Sequence, residues 1–386
     1  ITGRARRREG PKQSASERGR LYAWQSVGMN DGDRMSRSPS EEPPAAFQLQ
    51  FIESLQRLLE SGSFVATYKY ALLLALTNVA AEKGFDDSRE QYVPLEDLGA
   101  QFLQIYWRHT RDYPGLRHPL RQNTGRQAAI LATVSKARDA VRNPDRVDAF
   151  DSVPEQLLRE ATQRVKTMPL MKLQTIGREK EDPYHPDNFL YPTEVIDGCI
   201  VLNPGVSACL RRFRPLITTT TQAAWVEYVR RTNPELGRGH DLSAFLFGVD
   251  RSEVHQYADL LLELQGGRCF YTQRSLTATD LHVDHFIPWS RFPLNSPFNL
   301  VLTSSRTNIQ KSDHVAALPH LDRWSTRNVD LADSLLSGGA VPEDRHRAIA
   351  IARYTYSSAN RVGALGWLAG KEMRELEGWE NLLPTV

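Results

Sequence analysis

The chain has 386 residues, with 48 basic against 46 acidic side chains and a hydrophobic fraction of 40%. This near-neutral, ordinary composition excludes collagen-like, mucin-like and wholly disordered proteins, and it does not by itself indicate a nucleic-acid-binding protein. The longest apolar run, residues 70–81, is too short and too polar for a membrane span. Three cysteines spread over this length favour a reducing compartment over a disulfide framework. We therefore expect a cytoplasmic protein of two or three domains with no membrane partner.

The N-terminal half divides into a tail and a helical domain. Residues 1–46 are rich in arginine, serine and proline and have little apolar periodicity, which predicts a disordered basic tail. Apolar side chains at helical spacing begin at Phe47 and predict an α-helical domain over residues 47–170. The spacing places helices over residues 47–60, 66–82, 95–110 and 154–166, with another after Thr124. The second of these is apolar nearly all round, which is typical of the centre of a bundle.

The sequence pattern changes after residue 170, where turn-forming residues and short apolar runs alternate. Residues 189–192 and 199–204 predict two short strands in a hairpin, and helices are expected over 207–214, 221–232 and 251–265. The fold class we predict is α+β, mainly α-helical, with an N-terminal helical domain and a small ββα unit. The predicted divisions after the tail are a helical domain (47–170), a mixed α/β connecting region (171–240), a domain that carries chemistry (241–320) and a helical C-terminal region (321–386).

Polar residues of catalytic types cluster between residues 281 and 311. Residues 281–285 predict a strand that ends in Asp284 and His285, and Pro288 follows in a loop. Asn299 opens a second strand over 300–302. Asn308 then begins a predicted short helix that also carries Lys311. The segment thus predicts a strand, a loop, a second strand and a helix in about 45 residues.

Phosphodiester hydrolysis would use these residue types. A histidine such as His285 suits the general base, because its pKa lies near neutrality. Carboxylate and amide oxygens, as in Asp284 and Asn308, are ligands that Mg²⁺ accepts while it keeps several waters. Successive strand residues point to opposite faces, so Asp284 and His285 can face one phosphate only if the strand bends there. Asn299 can hold the loop, and Lys311 can meet phosphate charge.

The segment resembles the HNH (ββα-metal) endonucleases. The matching pieces are Asp284-His285, Ile287-Pro288-x-Ser290, Asn299-Leu300 and Asn308-x-x-Lys311-Ser312-Asp313, at intervals similar to those in the HNH domains of RNA-guided CRISPR effectors. The resemblance implies that His285 is the general base and that Asp284 and Asn308 bind one divalent cation, Mg²⁺ or Mn²⁺. It also implies that Asn299 orients the base loop and that Lys311 is auxiliary. The region before this segment also looks like part of uncharacterised bacterial HNH proteins.

One departure from the family concerns a structural zinc site. Many HNH proteins carry two Cys-x-x-Cys pairs, but here Thr272 replaces the partner of Cys269, and residues 304–307 contain no cysteine. One sulfur cannot make a four-ligand zinc site, so we expect no structural zinc. The unit must then rely on packing by large side chains, and those available are Phe270, Tyr271, Leu276, Phe286, Trp289 and Phe298.

The leading hypothesis is a metal-dependent HNH endonuclease that acts on DNA, in restriction or phage defence. Arg291 and Arg306 flank the site and are the candidates for phosphate contact. The sequence leaves two alternatives open. The same groups could act on RNA, since the phosphate is common to both nucleic acids, or the unit could be an inactive module that only binds nucleic acid or protein. Each site residue also has an ordinary structural explanation: Asn299 is a common turn former and Asn308 a common helix cap.

Overall fold

The computed structural model describes residues 41–61, 66–125, 128–144, 152–174, 188–236, 241–248, 257–336 and 342–384. Most of the predicted tail, residues 1–40, lies outside these ranges. The described residues are mainly helical, with small antiparallel two-stranded sheets. The predicted α+β class, with helices dominant, is therefore confirmed. The helices of the N-terminal half are α1 Ala45–Ser61, α2 Tyr68–Lys83, α3 Leu95–Trp107, α4 Ala129–Ala140, α5 Glu155–Thr167, α6 Pro169–Lys172, α7 Val206–Arg212, α8 Arg214–Thr232 and α9 Leu242–Phe247.

Helix α2 is the centre of the N-terminal half. Its sequence is apolar on nearly every face, and its residues from Lys69 to Thr77 are all buried. It packs against α3, α7 and α8, and it also contacts a helix from the C-terminal region. A helix with no polar stripe has to be covered on all sides, and this arrangement confirms the central position expected from the sequence.

The predicted hairpin of residues 189–192 and 199–204 is wrong. Strand β2, Cys199–Leu202, pairs antiparallel with β1, Gln91–Pro94, which precedes helix α3. Residues 189–192 form no strand. They are held instead by Gln174, whose side chain bonds Leu190 N and Tyr191 O. Short apolar runs predict strands without predicting their partners, because pairing depends on the packing of distant segments.

Residues 282–311 have the predicted order of elements, namely a strand, a loop, a second strand and a helix. Helix α10, Ala258–Leu264, precedes strand β3, His282–His285, which pairs antiparallel with β4, Leu300–Thr303. Helix α11, Ser305–Lys311, follows directly and packs against β3. Ser304 caps α11, since its Oγ accepts a hydrogen bond from Thr307 N at 3.3 Å.

The C-terminal region is helical only in part, which corrects the expectation for residues 321–386. Helices α12, Leu318–Leu336, and α13, Pro342–Arg361, are followed by the hairpin of β5, Gly366–Ala369, and β6, Glu372–Arg374. The turn contains Gly370 at a φ of 57°, a conformation that glycine adopts without strain. Trp367 of β5 bonds the main chain just after α11, at Val315 O and Ala317 N. The hairpin therefore continues the packing of the segment that precedes it.

Most of the buried apolar side chains form two large groups. One lies among residues 51–246 and the other mostly among residues 269–383. Among the described residues, every helix is too short or too polar to cross a lipid bilayer. The domain boundaries stay a prediction.

Candidate active site

Asp284 and His285 lie at the end of strand β3, where the chain bends. Asp284 is paired with Val301 and His285 with Leu300 across the two strands. The bend begins at Phe286, which is fully buried. Pro288 has no main-chain N–H to donate, so it does not extend the pairing between β3 and β4. This geometry meets the condition expected from the sequence, since a bend lets neighbouring residues direct their side chains toward one region.

One oxygen of Asp284 is held by two donors. The hydroxyl of Tyr271 donates to Asp284 Oδ2 at 2.7 Å, and Lys311 Nζ lies 3.0 Å from the same oxygen. Burial, followed by the nearby Asp284, raises the pKa of Tyr271 well above its usual value, so the phenol stays protonated and keeps donating. Within the described residues, Asp284 Oδ1 makes no hydrogen bond. The carboxylate is thus oriented through one oxygen, and the other is available to a ligand.

Lys311 is an internal brace. Its side chain is fully buried, and its ammonium group bonds His285 O at 2.9 Å in addition to pairing with Asp284. An ammonium group in this position lies inside the protein and cannot approach a phosphate. The structure therefore corrects the phosphate contact expected of Lys311 and makes it a support for the end of β3.

His285 is nearly buried, with 8% of its surface exposed. Its Nε2 lies 2.7 Å from Oδ1 of Asn295, and its ring packs 5.3 Å from the ring of Trp289. Burial lowers the pKa of His285 from its ordinary value, and the bond to Asn295 and the charge of Asp284 oppose this only in part. The imidazole is accordingly neutral near pH 7, which is the state that a general base needs.

Asn299 holds the loop between the two strands. Its side chain is completely buried, accepts from Ile287 N at 2.8 Å and donates to Ile287 O and Leu294 O, each at 3.1 Å. Its own carbonyl accepts from Phe286 N at 2.7 Å. All these contacts are to main-chain groups of the loop, so the position of Asn299 fits the loop-orienting role that the resemblance implies.

Asn308 lies on α11, one turn before Lys311. Residues three apart share one side of a helix, so Asn308 is on the side that faces the end of β3. It is half-buried, and its side-chain amide makes no hydrogen bond in the part of the chain that is described. Asn308 thus shares a side of α11 with Lys311, which contacts Asp284, and its role as a metal ligand stays a prediction. Arg291 and Arg306 are both exposed, and their contact with phosphate stays a prediction.

The loop that follows His285 is attached to the N-terminal half. Trp289 Nε1 donates to Phe247 O at 3.2 Å. Arg214 of α8 is 2% exposed, donates to Arg291 O at 2.5 Å and lies 4.3 Å from the centre of the Phe292 ring. Arg214 was not identified from the sequence, because nothing in the local pattern marks this arginine as buried.

Side chains at the positions where the resemblance would place zinc-binding cysteines make local hydrogen bonds here. Cys269 Sγ lies 3.3 Å from Thr303 Oγ1, and Ser304 Oγ lies 2.8 Å from Thr307 Oγ1. Among the described residues, no group of three or more His, Cys, Asp or Glu side chains could hold a metal ion. A cation beside Asp284 would consequently have one carboxylate, with amide and water oxygens as its other ligands. This donor set fits Mg²⁺ or Mn²⁺.

Two residues of the site were not found by sequence reasoning. Tyr271 was predicted only as a packing residue, yet it orients Asp284. Asn295 was not identified, although it contacts the predicted base. No periodicity marks a residue inside a loop, so only the fourteen-residue separation of His285 and Asn299 could have directed attention to the polar positions between them.

Comparison with known proteins gives two matches. Residues 269–317 match the model of an HNH endonuclease, which confirms the resemblance deduced from Asp284, His285, Asn299 and Asn308. Residues 48–245 match a domain of unknown function (DUF8808), which covers just over half of the chain. No curated protein matches the chain.

Proposed function

Because the chain belongs to the family defined by this domain of unknown function (DUF8808) and carries an HNH endonuclease domain, we propose that it is a metal-dependent endonuclease that hydrolyses phosphodiester bonds of DNA. The observation that carries the proposal is a nearly buried His285 directly after Asp284, whose carboxylate is oriented by Tyr271 and Lys311 at the end of the same strand. We assign residues 282–311 to the ββα-metal fold. A cytoplasmic role in restriction or phage defence is part of the proposal and rests on the family likeness alone.

In this mechanism His285 is the general base. It takes a proton from a water molecule, whose oxygen then attacks the phosphorus atom in line with the leaving oxygen. Burial keeps the imidazole unprotonated before the reaction. Asn299 holds the loop on both sides of the base, and Lys311 fixes the carbonyl of His285 itself.

Asp284 and Asn308 would hold one divalent cation, Mg²⁺ or Mn²⁺. When bound, such a cation stabilises the negative charge that develops on the phosphate and on the leaving oxygen. Tyr271 and Lys311 hold Asp284 Oδ2 and leave Oδ1 directed elsewhere, which supports the use of that oxygen as a ligand. Arg291 and Arg306 are proposed to contact the phosphate backbone at the rim of the site, where both are exposed.

The test is nicking of a supercoiled plasmid by the purified protein in Mg²⁺, Mn²⁺ or EDTA. We expect nicking that needs the metal and that falls by roughly 10²–10⁴ in His285→Ala, the usual contribution of a general base. His314→Ala is the matched control, because His314 is an exposed histidine of the same segment. No nicking, or equal nicking by His285→Ala, would refute the DNA nuclease. Cleavage of an RNA of the same sequence would then identify an RNase, and binding of either polynucleotide without cleavage would identify an inactive module.

A further inference from the structure

We propose that Asn295 is a positioning residue that holds His285 in the tautomer with Nε2 protonated, so that Nδ1 is the atom that accepts the proton from water. The inference rests on the proposed nuclease function, because it assigns an atom to the base of that reaction. It concerns a residue of the loop between β3 and β4 that lies four positions before Asn299.

The first step of the argument is the contact itself. Asn295 Oδ1 lies 2.7 Å from His285 Nε2, and an amide oxygen can only accept a hydrogen bond. With the amide oxygen facing the ring, as it does here, His285 Nε2 carries the hydrogen. A neutral imidazole has a single N–H, so Nδ1 keeps its lone pair. Among the described residues Nδ1 makes no hydrogen bond, which leaves this lone pair available to a water molecule.

The second step is that both partners are fixed by Asn299. Its side chain donates to Leu294 O, and its main-chain N donates to Ser296 O at 2.8 Å, so the residues on either side of Asn295 are bound to it. The same side chain bonds both main-chain groups of Ile287, two residues after His285. The buried amide of Asn299 thus connects the two ends of the contact between Asn295 and the base.

The third step is that the imidazole has little freedom to turn. The Trp289 ring lies 5.3 Å from the His285 ring, and Lys311 holds the carbonyl of His285. If the ring carried its hydrogen on Nδ1, the lone pair of Nε2 would face the lone pairs of Asn295 Oδ1, which is repulsive. In this amide orientation, Asn295 therefore favours one tautomer and one ring orientation together. Loss of such alignment typically costs roughly 10- to 100-fold in rate.

The experiment compares Asn295→Leu, which removes the acceptor at similar volume, with Asn295→Asp, which keeps an acceptor oxygen. The protein is labelled with ¹⁵N-histidine, and the His285 signals are identified by their loss in His285→Ala. At pH 8 without metal, we expect the wild type and Asn295→Asp to show the Nε2-protonated tautomer. In Asn295→Leu we expect a mixture of tautomers. Circular dichroism and the Tm of each variant establish that it is folded.

Plasmid nicking in Mg²⁺ supplies the second readout. We expect kcat to fall roughly 10- to 100-fold in Asn295→Leu, with KM for the plasmid unchanged and with a smaller loss in Asn295→Asp. An Nδ1-protonated His285 in the wild type, or an unchanged tautomer and kcat in a folded Asn295→Leu, would overturn the inference while the nuclease stands. Absence of cleavage by the wild type on DNA and on RNA would overturn the proposed function and the positioning role with it.

Discussion

The N-terminal helical region (residues 45–247) and the nuclease segment (residues 269–317, the part that matches the HNH model) each bury a histidine, and the surroundings of the two histidines differ. His109 is completely buried, bonds Leu246 O at 3.1 Å and has the ring of Trp225 at 5.0 Å. His285 retains 8% exposure, bonds a side-chain amide and follows a carboxylate in sequence. Burial lowers the pKa of both. A lowered pKa therefore does not by itself distinguish a base from a packing residue, and the oriented carboxylate of Asp284 is what separates the surroundings of His285 from those of His109.

The same contrast extends to other buried polar groups. In the N-terminal half, neutral amides join distant stretches of main chain, as Asn233 does when it bonds Arg121 N and Arg121 O. In the nuclease segment, buried polar side chains converge on two adjacent residues, since Tyr271, Lys311 and Asn295 all contact Asp284 or His285. Buried polar side chains that are scattered through a region typically support its fold. Several buried polar side chains that converge on the same two residues indicate a functional site.

The largest expected effect comes from exchanging each histidine for alanine. His285→Ala should lower the rate of nicking by roughly 10²–10⁴ and cost about 1 kcal/mol of unfolding free energy, the value of one hydrogen bond. His109→Ala should cost about 3–5 kcal/mol, as expected for truncation of a ring in an aromatic core, and leave kcat unchanged where the protein is folded. Kinetics and denaturant unfolding measure both. Similar losses of stability in the two variants would remove the distinction between the regions.

The buried lysine should be the next most sensitive position. Lys311→Met leaves Asp284 without its ion pair in a buried setting, and the loss of unfolding free energy should be about 3–5 kcal/mol. The matched control is Lys83→Met, because Lys83 and Asp97 form a pair in the N-terminal half with 58% and 23% exposure. That variant should lose less than about 1 kcal/mol. Equal losses in urea unfolding would contradict the assignment of Lys311 as an internal brace.

The depressed pKa of His109 predicts a dependence of stability on pH. Burial lowers this pKa from 6.5 to about 4, so the unfolded chain binds a proton below pH 6.5 that the folded chain does not take up until about pH 4. The stability that neutral His109 contributes is complete above pH 6.5 and is lost as the pH falls to about 4. The loss should be about 3 kcal/mol. His109→Gln should lack this part of the pH dependence, and an unchanged profile would contradict the prediction.

Arg214 connects the two regions, and its loss should have an intermediate effect. Arg214→Met leaves Arg291 O and Asn78 Oδ1 without their donor, which should cost about 1–3 kcal/mol. Nicking should also slow, because the loop that carries Asn295 loses a support. Arg212→Met is the control, since Arg212 is an exposed neighbour paired with Glu42. If both variants behaved alike, the N-terminal half would have no influence on the loop.

The smallest effects are expected at the rim. Arg306→Gln and Arg291→Gln should each weaken DNA binding a few-fold and reduce the slope of log affinity against log salt by about 1, the result of losing one phosphate contact. Lys371→Gln, an exposed position on the β5–β6 turn, should leave the slope unchanged. Binding titrations at several salt concentrations measure this. An unaltered slope in both arginine variants would place the DNA elsewhere.

The spacing of residue types along the chain was sufficient to predict many of the helices and strands. Helices α1 to α5 coincide with stretches in which apolar residues recur at helical spacing. Such a stretch predicts a helix whichever element its apolar side packs against. The strand, loop, strand and helix at residues 282–311 were also predicted, since fixed residue types at fixed intervals define them. The HNH likeness, and the candidate roles of Asp284 and His285, come from that local pattern.

Tertiary structure alone decided which distant groups meet. The sequence does not show that β2 pairs with β1, that the ammonium group of Lys311 turns inward, or that Asn295 reaches the base. Nor does it show that Arg214 of the N-terminal half supports the loop of the nuclease segment. Local propensity and periodicity act over a few residues, whereas these contacts depend on how separately formed elements pack. The hydrogen-bond partners of these residues are therefore selected by the complete fold, because only the packed elements bring distant polar groups within hydrogen-bonding distance of each other.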